Sequence, residues 1–355
     1  MTYVHKVAQN FKIDSDIESV SALSSGHIND TFLVKTDSQK HFVLQKLNST
    51  VFKNIEAMIS NKILVSEFLT KVDSPYQTVQ FVKTKDKNYY FQDKFKDYWM
   101  LMEYIQDSLV YEVATNKIMV YEAGKLYGDF IHQCSYLDAT KLIETLPDFH
   151  SMPFRFYQFE TALKQATEET KNLSKEEIDF VLSSKEDMFQ LSNLKSQNTF
   201  PLRVTHNDAK LSNILFDNND KGFAIIDLDT VMPGIVAFDF GDSIRSICST
   251  TKEDDANLKA TQINLAFYEA YCMGFAEHTK HILTSNEIEY LPLGAKTITF
   301  MQGLRFLTDF LNGNIYYKTN YETHNLIRAK NQFKLVQSIQ ENFKSLKSII
   351  TEAFK

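Results

Sequence analysis

The segment HNDAKLSN at residues 206–213, followed by AIIDLD at residues 224–229, is the most informative part of this chain. It places Asp208 five positions before Asn213, and it places Asp227 at the end of a second apolar run. Phosphoryl transfer requires a side chain that orients the attacking hydroxyl and oxygen ligands that hold Mg²⁺ against the nucleotide phosphates. Asp208 suits the first task. Asn213 and Asp227 suit the second, because Mg²⁺ usually takes only one or two protein carboxylates.

The pattern around these residues predicts two acidic loops that are joined by one hairpin. Short strands are predicted at residues 201–205, 213–216 and 223–226, and the segment DNNDKG at 217–222 predicts the turn between the last two. The first acidic loop would then connect two strands, and the second would follow the end of a strand. A lone acidic turn more often caps a hairpin, but two loops linked in this way favour a catalytic role.

Three segments carry a resemblance to a known family: LRVTHND at residues 202–208, IDLDTVMPG at 226–234 and FDFGDSIR at 238–245. They resemble the catalytic and magnesium loops of the aminoglycoside phosphotransferase and choline kinase superfamily, and within it the bacterial N-acetylhexosamine 1-kinases. The similarity extends over nearly the whole chain, with further matches at residues 26–29, 149–150, 305–307 and 324–326. The resemblance implies a kinase that uses ATP and Mg²⁺ to phosphorylate the anomeric hydroxyl of an N-acetylhexosamine (GlcNAc or GalNAc), giving hexosamine 1-phosphate.

The same resemblance implies roles for individual residues. It makes Asp208 the catalytic residue, and it makes Asn213 and Asp227 the metal ligands. Nucleotide-binding (ATP) residues are expected in the first lobe and at the lobe junction, at Ser25, Gly26, His27, Gln45, Glu103, Tyr104 and Ile105. Contacts with the sugar substrate are expected from Asp208, Asp229, Arg305, Tyr316 and His150.

The expected nucleotide site contains one departure from the kinase pattern. Protein kinases carry a Lys on the third strand that pairs with the phosphates, and Gln45 occupies the matching position here. Lys46 cannot simply substitute, because neighbouring side chains of a strand point to opposite faces. Either Gln45 binds phosphate through neutral hydrogen bonds, or another cation such as Lys35 or Lys210 supplies the charge.

Several of the candidate residues also have a structural explanation. Gly26 is equally typical of an ordinary hairpin turn. Arg305 lies on a mostly apolar helix, where a structural ion pair is an equal alternative. We interpret Asp239 and Asp242 as parts of a turn and a helix N-terminus instead of metal ligands, because the metal position after the catalytic loop is already filled. His206 is expected to brace the catalytic loop.

The composition is typical of an intracellular enzyme. The chain has 355 residues, of which 43% are hydrophobic, and this length suggests two lobes. A net charge of -7 without a sustained Lys or Arg run disfavours nucleic-acid binding. Three separated cysteines without metal-ligand spacing predict reduced thiols. No secretory segment or membrane span is predicted, so we expect a cytoplasmic protein without a membrane partner, as a monomer or weak homodimer.

The order of the predicted elements indicates an α+β, protein-kinase-like fold with two lobes. Residues 1–105 are predicted to form a small nucleotide-binding lobe with an antiparallel sheet, and residues 106–355 a larger, mostly helical lobe with the catalytic and substrate-binding residues. In the first lobe we predict helices at 4–11 and 55–69 and strands within 17–46 and at 79–83, 89–92 and 98–104. In the second lobe we predict helices at 120–135, 155–167, 175–192, 237–247, 260–277, 297–312 and 324–354.

Two other functions stay open at the level of sequence. The closer one is a kinase of the same superfamily that acts on choline, an amino alcohol, an aminoglycoside or another sugar. The other is a catalytically silent, kinase-like binding protein, which only Gln45 suggests. The presence of Asp208, Asn213 and Asp227 argues against a silent protein, because each of them has a role in phosphoryl transfer.

Overall fold

The chain forms two lobes in the computed structural model, which describes residues 2–23 and 28–355. The predicted phosphate-binding residues Ser25, Gly26 and His27 lie outside the described residues. The α+β, kinase-like class is confirmed, with an antiparallel sheet in the N-terminal lobe and a mostly helical C-terminal lobe. No helix in the described part of the chain has the length and apolar composition needed to span a bilayer.

The N-terminal lobe is built around one six-stranded sheet, whose strands differ in length. Its elements in chain order are α1 (Tyr3–Ala8), β1 (Ile17–Ala22), β2 (Asp30–Thr36), β3 (Phe42–Leu47), α2 (Ile55–Leu69), β4 (Gln77–Thr78), β5 (Phe81–Val82), β6 (Phe91–Gln92) and β7 (Tyr98–Glu103). The strands run in the order β1-β2-β3-β7-β5, and β6 also pairs with β7. The pairings within this sheet are antiparallel.

Side-chain alternation along β3 gives this sheet two different faces. Phe42 and Leu44 point to the face that α1 covers, and they belong to one apolar cluster with it. Leu47 points to the opposite face and packs in a second cluster with Met58 of α2. Gln45 has the same parity as Leu47, so its side chain also lies on the α2 side of the sheet.

The C-terminal lobe consists mainly of helices, with short strands between them. Its elements are α3 (Lys117–Cys134), α4 (Met152–Gln165), α5 (Glu168–Leu173), α6 (Lys175–Met188), α7 (Gln190–Ser196), β8 (Arg203–Thr205), β9 (Ile214–Phe216), β10 (Gly222–Ile225), β11 (Met232–Gly234), α8 (Val236–Ile247), α9 (Leu265–Thr279), α10 (Ser285–Leu311), α11 (His324–Glu341) and α12 (Phe343–Ala353). β9 and β10 form the predicted hairpin, and β8 pairs antiparallel with β11.

Helix α8 packs very closely against α10. A Cβ atom at Gly241 would lie 2.4 Å from the carbonyl oxygen of Gly294, and a Cβ atom at Gly294 would lie 2.2 Å from the carbonyl oxygen of Ala237. Only glycine permits this approach of the two backbones, because it has no Cβ. The contact therefore fixes the position of α8, which follows the second acidic loop in the chain and carries Asp239.

One short pairing connects the lobes, and a second ties the segment just after residue 105 to the C-terminal lobe. β4 pairs in parallel with β10, with Gln77 opposite Ala224, so β4 joins the sheet of the C-terminal lobe. Leu109 forms an isolated bridge with Phe216 of β9. β7 ends at Glu103, which is compatible with a lobe boundary near residue 105, and this boundary stays a prediction.

Most predicted elements are present, but several helices differ from their predicted bounds. The helix predicted at 4–11 ends at Ala8, the one predicted at 175–192 ends at Met188 before α7 begins, and the one predicted at 260–277 begins only at Leu265. α2 spans residues 55–69, as predicted. α10 begins at Ser285, much earlier than predicted, because the side chains of Thr284 and Glu287 form a capping box at its N-terminus. The long helix predicted at the end of the chain is two helices, α11 and α12, that meet at Asn342.

We predict that Gly294→Ala lowers the free energy of unfolding by about 1–3 kcal/mol, because the added methyl group forces α8 and α10 apart. Chemical denaturation measures this difference. Gly222→Ala is the matched control, since the nearest atoms to its Cβ would lie 3.5 Å away, an ordinary contact. Equal stability of the two variants would contradict the close packing of the helices.

Candidate active site

Helix α8 holds the loop that follows β8. Asp239, only 3% exposed, accepts hydrogen bonds from the backbone N–H groups of His206 and Asn207, each at 2.7 Å. Burial raises the pKa of Asp239 to about 6. Both carboxylate oxygens are used by the loop backbone, so Asp239, in the first turn of α8, is a brace, as its structural interpretation expected. For Asp242 the expected position in a turn or helix N-terminus is wrong, because it lies within α8 and forms an ion pair with Arg245.

The same loop is tied to residues 226–231, which we call the metal loop. The Nε2 atom of His206 lies 3.1 Å from the carbonyl oxygen of Ile226, and the hydroxyl of Thr230 donates to the carbonyl oxygen of His206 at 2.7 Å. Asn207 donates from Nδ2 to the carbonyl oxygen of Thr230 at 3.0 Å. His206 thus has structural hydrogen bonds to the metal loop, and these bonds together with that of Asn207 hold the two loops against each other.

Asp208 has one carboxylate oxygen available for a substrate. Its Oδ2 accepts hydrogen bonds from Lys210 Nζ at 2.7 Å and from Asn213 Nδ2 at 3.0 Å. Its Oδ1 accepts no hydrogen bond among the described residues. Burial alone would raise the pKa of Asp208, but the ammonium group of Lys210 outweighs burial and lowers the pKa to about 2. The side chain is therefore ionised at neutral pH.

Asn213 and Asp227 place oxygen atoms on the two loops that the β9–β10 hairpin joins. Asn213 directs its Nδ2 to Asp208, and within the described part of the chain its Oδ1 has no hydrogen-bond donor. Its backbone carbonyl accepts from the N–H of Ile226 at 2.9 Å. Asp227 follows with φ 63° and ψ 60°, a left-handed conformation that is uncommon outside glycine and recurs at functional sites.

The donor atoms of these residues fit a magnesium ion. Desolvation of the carboxyl group and, as the second cause, the negative charge of Asp229 raise the pKa of Asp227 to about 7. The residue as a whole is nevertheless exposed. A cation beside Asp227 would relieve this repulsion. Mg²⁺ prefers oxygen ligands and takes several of them from phosphate and water, so Asn213 and Asp227 would be sufficient. No group of three or more His, Cys, Asp or Glu placed for a metal occurs in residues 2–23 and 28–355.

The backbone N–H groups at the end of β7 differ in whether the protein itself uses them. The N–H of Glu103 donates to the carbonyl oxygen of Gln80 at 2.9 Å, and the N–H of Tyr104 donates to that of His41 at 2.9 Å. The N–H of Ile105 makes no hydrogen bond to the residues that the structure describes. A free backbone donor at the end of β7 suits an adenine ring nitrogen, so the predicted adenine contact fits Ile105 best.

The strand cation that protein kinases use is missing from β3. The Oε1 atom of Gln45 is buried and has no hydrogen-bond partner among the described residues. Lys46 points to the other face of the sheet and forms an ion pair with Asp97 at 2.7 Å. Lys35 is exposed, and Lys210 belongs to the catalytic loop. The buried cation between the lobes comes from α2 instead.

This cation is Lys62, which is paired with the predicted sugar ligand Asp229. Lys62, 1% exposed, forms an ion pair with Oδ1 of Asp229, and Nδ2 of Asn29 donates to Oδ2. Both carboxylate oxygens are therefore engaged by the N-terminal lobe. Asp229 is also only 5% exposed, and its sugar contact stays a prediction.

His150 lies against the catalytic loop. Its ring contacts the backbone of Asn207, and its centroid lies 4.8 Å from that of the Phe238 ring. The ring lines a cavity of about 330 Å³ together with Asn207 and Phe238, a size that small-molecule sites commonly have. Burial, followed by the charges of Arg305 and Arg155, lowers the pKa of His150 to about 3. The imidazole is therefore neutral at physiological pH.

Arg305 is held by a neutral side chain and by aromatic rings. It donates to Oε1 of Gln302 at 3.1 Å, and its guanidinium lies 5.3 Å from the ring centroid of Phe149 and 5.6 Å from that of Tyr317. No described carboxylate forms an ion pair with it. The structural ion pair that the sequence left open is therefore not seen, and the charge stays available for a ligand.

Tyr316 is positioned by a buried carboxylate. Asp309, 4% exposed, accepts hydrogen bonds from the backbone N–H of Tyr316 at 2.8 Å and of Tyr317 at 2.9 Å. Asn325 donates to the same carboxylate at 2.9 Å. The ring of Tyr316 is 58% exposed, so its contact with a sugar stays a prediction.

Most of the predicted site residues that the structure describes in the C-terminal lobe thus lie close together. Asp208, Asn213, Asp227 and Asp229 lie together, and His150 adjoins them through the catalytic loop. Arg305 and Tyr316 lie further out, beyond Phe149 and beside Tyr317. The residues that the sequence interpretation missed are Asn29, Asn61, Lys62 and Asp309. Lys62 carried a readable signal, because it follows Met58 and Ile59 by four and three positions on the apolar stripe of α2.

A comparison with protein families agrees with this geometry. The profile described as the phosphotransferase enzyme family matches residues 19–272, which is well over half of the chain. The chain belongs to the phosphotransferase enzyme family. Members of this family transfer phosphoryl groups, and the site described above has the residues for that reaction.

Solved structures of three small-molecule kinases share the fold of this phosphotransferase. A microcompartment-associated aminopropanol kinase is 13% identical with a TM-score of 0.59, over 97% of this chain and 98% of that one. An amicoumacin kinase in complex with AMP-PNP, Ca²⁺ and Ami is 11% identical with a TM-score of 0.62, over 94% and 92%. A Plasmodium vivax ethanolamine kinase is 14% identical with a TM-score of 0.58, over 89% and 82%. Identities this low show the fold alone.

We predict that Asp239→Ala lowers kcat by about 10²-fold, because two buried N–H groups lose their acceptor and Asp208 shifts from its position. Steady-state kinetics with circular dichroism, as a test of folding, measures the effect. Asp179→Ala, at an exposed position of α6, is the control. A folded Asp239→Ala variant with the kcat of the control would show that the brace does not position Asp208.

Proposed function

We propose that this phosphotransferase transfers the γ-phosphoryl group of ATP to the anomeric hydroxyl of an N-acetylhexosamine, GlcNAc or GalNAc, and produces hexosamine 1-phosphate. The observation that carries the proposal is the placement of Asp208, with one unbonded carboxylate oxygen, beside the oxygen donors of Asn213 and Asp227. The complex of the amicoumacin kinase with AMP-PNP and Ca²⁺ supports the use of ATP with a divalent cation.

Asp208 would orient the attacking hydroxyl. The Oδ1 atom would accept the hydrogen bond of the hydroxyl, while Lys210 and Asn213 hold Oδ2. A pKa of about 2 makes Asp208 a weak base before the reaction. It would thus act mainly by alignment and would receive the proton as the hydroxyl becomes acidic in the transition state.

Asn213 and Asp227 would hold Mg²⁺, which supplies charge neutralisation for the phosphates when it is bound. The free Oδ1 of Asn213 and the exposed carboxylate of Asp227 are the atoms for this task. The backbone N–H of Ile105 would receive the adenine ring, with Glu103, Tyr104 and Gln45 near the nucleotide. Most of the rate enhancement would then come from positioning and electrostatic stabilisation.

The charge near the cavity favours an uncharged acceptor over an amine. The positive charges of Arg305, Arg155 and Lys195 act on His150, and no described carboxylate forms an ion pair with any of them. The acidic side chains that line the cavity are both exposed: Glu144 and Asp148. A protonated amine would be repelled by Lys195, which lines the cavity, and by the charges of Arg305 and Arg155 near His150. An acetamido carbonyl could instead accept a hydrogen bond from Arg305.

A second candidate is a kinase of the same family that acts on an amino alcohol. The structural neighbours named for aminopropanol and ethanolamine favour it. The exposed carboxylates of Glu144 and Asp148 are the groups that could bind such an amine. A screen that contains both sugars and amino alcohols as acceptors therefore tests both candidates.

We also propose that the protein works in the cytoplasm as a monomer or weak homodimer. The thiols of Cys134, Cys248 and Cys272 are free and buried in the structure. Reduced, unpaired cysteines are typical of proteins in reducing compartments, which supports the cytoplasm. Size-exclusion chromatography with light scattering tests the oligomeric state.

We predict that an N-acetylhexosamine gives a kcat/KM about 10²-fold above that of any amino alcohol, in a screen of hexosamines, hexoses and amino alcohols with ATP and Mg²⁺. Phosphorus NMR of the product locates the phosphate, which we expect on carbon 1. A preference for ethanolamine or aminopropanol would replace the first candidate with the second.

We predict in the same assay that Asp208→Asn lowers kcat by about 10²–10⁴-fold without unfolding the protein. The reason is that the amide cannot accept the hydroxyl proton. Asp179→Asn serves as the exposed control. Near-normal turnover by folded Asp208→Asn would remove Asp208 from its role.

A further inference from the structure

Helix α2 reaches into the C-terminal lobe with two consecutive polar side chains. Asn61, 2% exposed, donates from Nδ2 to the carbonyl oxygens of Ile143 at 2.7 Å and Val231 at 3.0 Å, and its Oδ1 accepts from the N–H of Ile143 at 3.0 Å. Lys62 forms the buried ion pair with Asp229. Both residues therefore bind the metal loop on the side that follows Asp227.

A second element of the N-terminal lobe reaches the same carboxylate. Nδ2 of Asn29 donates to Oδ2 of Asp229, and Oδ1 of Asn29 accepts from the N–H of Asn48 at 3.0 Å. Asn29 immediately precedes β2, and Asn48 immediately follows β3. The start of β2 and the end of β3, which lie side by side in the sheet, are thus connected to Asp229.

The ion pair also balances the charge of the site. Lys62 pairs with Asp229 and Lys210 pairs with Asp208, so each of these two carboxylates has an ammonium group as its partner. Removing Lys62 would leave the carboxylate of Asp229 buried without a countercharge, which is much more costly than removing an exposed partner. The turn at residues 228–230 would then have to rearrange, and Asp227 begins this turn.

We propose that Lys62 and Asp229 are positioning residues for phosphoryl transfer: their ion pair fixes the turn at residues 228–230, so that Asp227 keeps the orientation needed for Mg²⁺–ATP. In a protein kinase the strand Lys pairs with a Glu of the following helix. Here the strand carries Gln45, the helix carries the cation, and the anion lies on the metal loop. The proposal rests on the proposed function, because it takes Asp227 as a metal ligand.

The proposal gives Asp229 a different role from a sugar contact. A positioning role requires that changes at Asp229 alter the Mg²⁺ dependence and kcat. A sugar contact requires that they alter the KM for the sugar. The two roles therefore differ in a measurable parameter, and outer partners of metal ligands typically change metal affinity or activity by about 10–100-fold.

Binding of a fluorescent ATP analogue as a function of Mg²⁺ concentration tests the proposal without any acceptor. We expect Lys62→Met to raise the half-saturating Mg²⁺ concentration by about 10–100-fold and Lys62→Arg to recover part of the loss. Lys46→Met is the control, because Lys46 lies on β3 of the same lobe. Its ion pair with Asp97 is on the face of the sheet that points away from α2. Equal Mg²⁺ dependence of Lys62→Met and the control would overturn the proposal.

A double variant separates positioning from folding. Lys62→Met with Asp229→Asn removes both charges together and lets the amide oxygen still accept from Asn29. We expect this variant to melt near the wild-type temperature while its Mg²⁺ dependence and kcat stay impaired. A wild-type Mg²⁺ dependence together with a wild-type kcat in this variant would overturn the proposal, since the ion pair would then not position Asp227.

Two further outcomes distinguish this proposal from the proposed function. If Asp229→Asn raises only the KM for the sugar, Asp229 is a sugar contact and the positioning role is wrong. If the wild-type protein binds the ATP analogue without any dependence on Mg²⁺, the proposed function and this inference both fail. A wild-type protein that binds Mg²⁺–nucleotide but phosphorylates another acceptor leaves the expected effect of Lys62→Met unchanged, so the acceptor assignment alone is then wrong.

Discussion

The buried carboxylate of Asp239 sets the position of the catalytic loop, and the rest of the site depends on it. It accepts the two N–H groups that precede Asp208, and it is carried by a helix that is fixed by the close contact of Gly241 with Gly294. A helix–helix contact outside the catalytic loop therefore contributes to the position of Asp208. The catalytic and metal loops are then joined through His206, Asn207 and Thr230, so that their acidic side chains keep one arrangement.

Charge is the second constraint on this site. Asp208, Asp227 and Asp229 concentrate negative charge, and the two lysines that compensate it come from different lobes. Lys210 holds Asp208 within the catalytic loop, and Lys62 crosses from α2 to Asp229. Desolvation and, after it, the carboxylate of Asp229 raise the pKa of the Asp227 carboxyl group, and a nearby cation would favour its charged form. The site thus combines three carboxylates with two ammonium groups, which leaves it with a net negative charge.

Local patterns predicted the fold and the acidic loops because both depend on neighbouring residues. The apolar stripe of α2 and the turn at residues 217–222 are short-range signals, and both elements are present in the structure. Other features depend on distant partners. β4 exists only because it pairs with β10, and α10 continues through Pro292 because it packs against α8. The partner of Lys62 lies 167 residues away, so the sequence could reveal a buried cation but not its anion.

The location of the metal is the most direct test of this account. Crystals grown with AMP-PNP and Mn²⁺ in place of Mg²⁺ would show the ion by its anomalous scattering. The account predicts a single peak or a close pair at about 2.1 Å from Oδ1 of Asn213 and from the carboxylate of Asp227, with the γ-phosphate beside Oδ1 of Asp208. An ion held by Asp239 or Asp242, with Asn213 and Asp227 unbound, would contradict it.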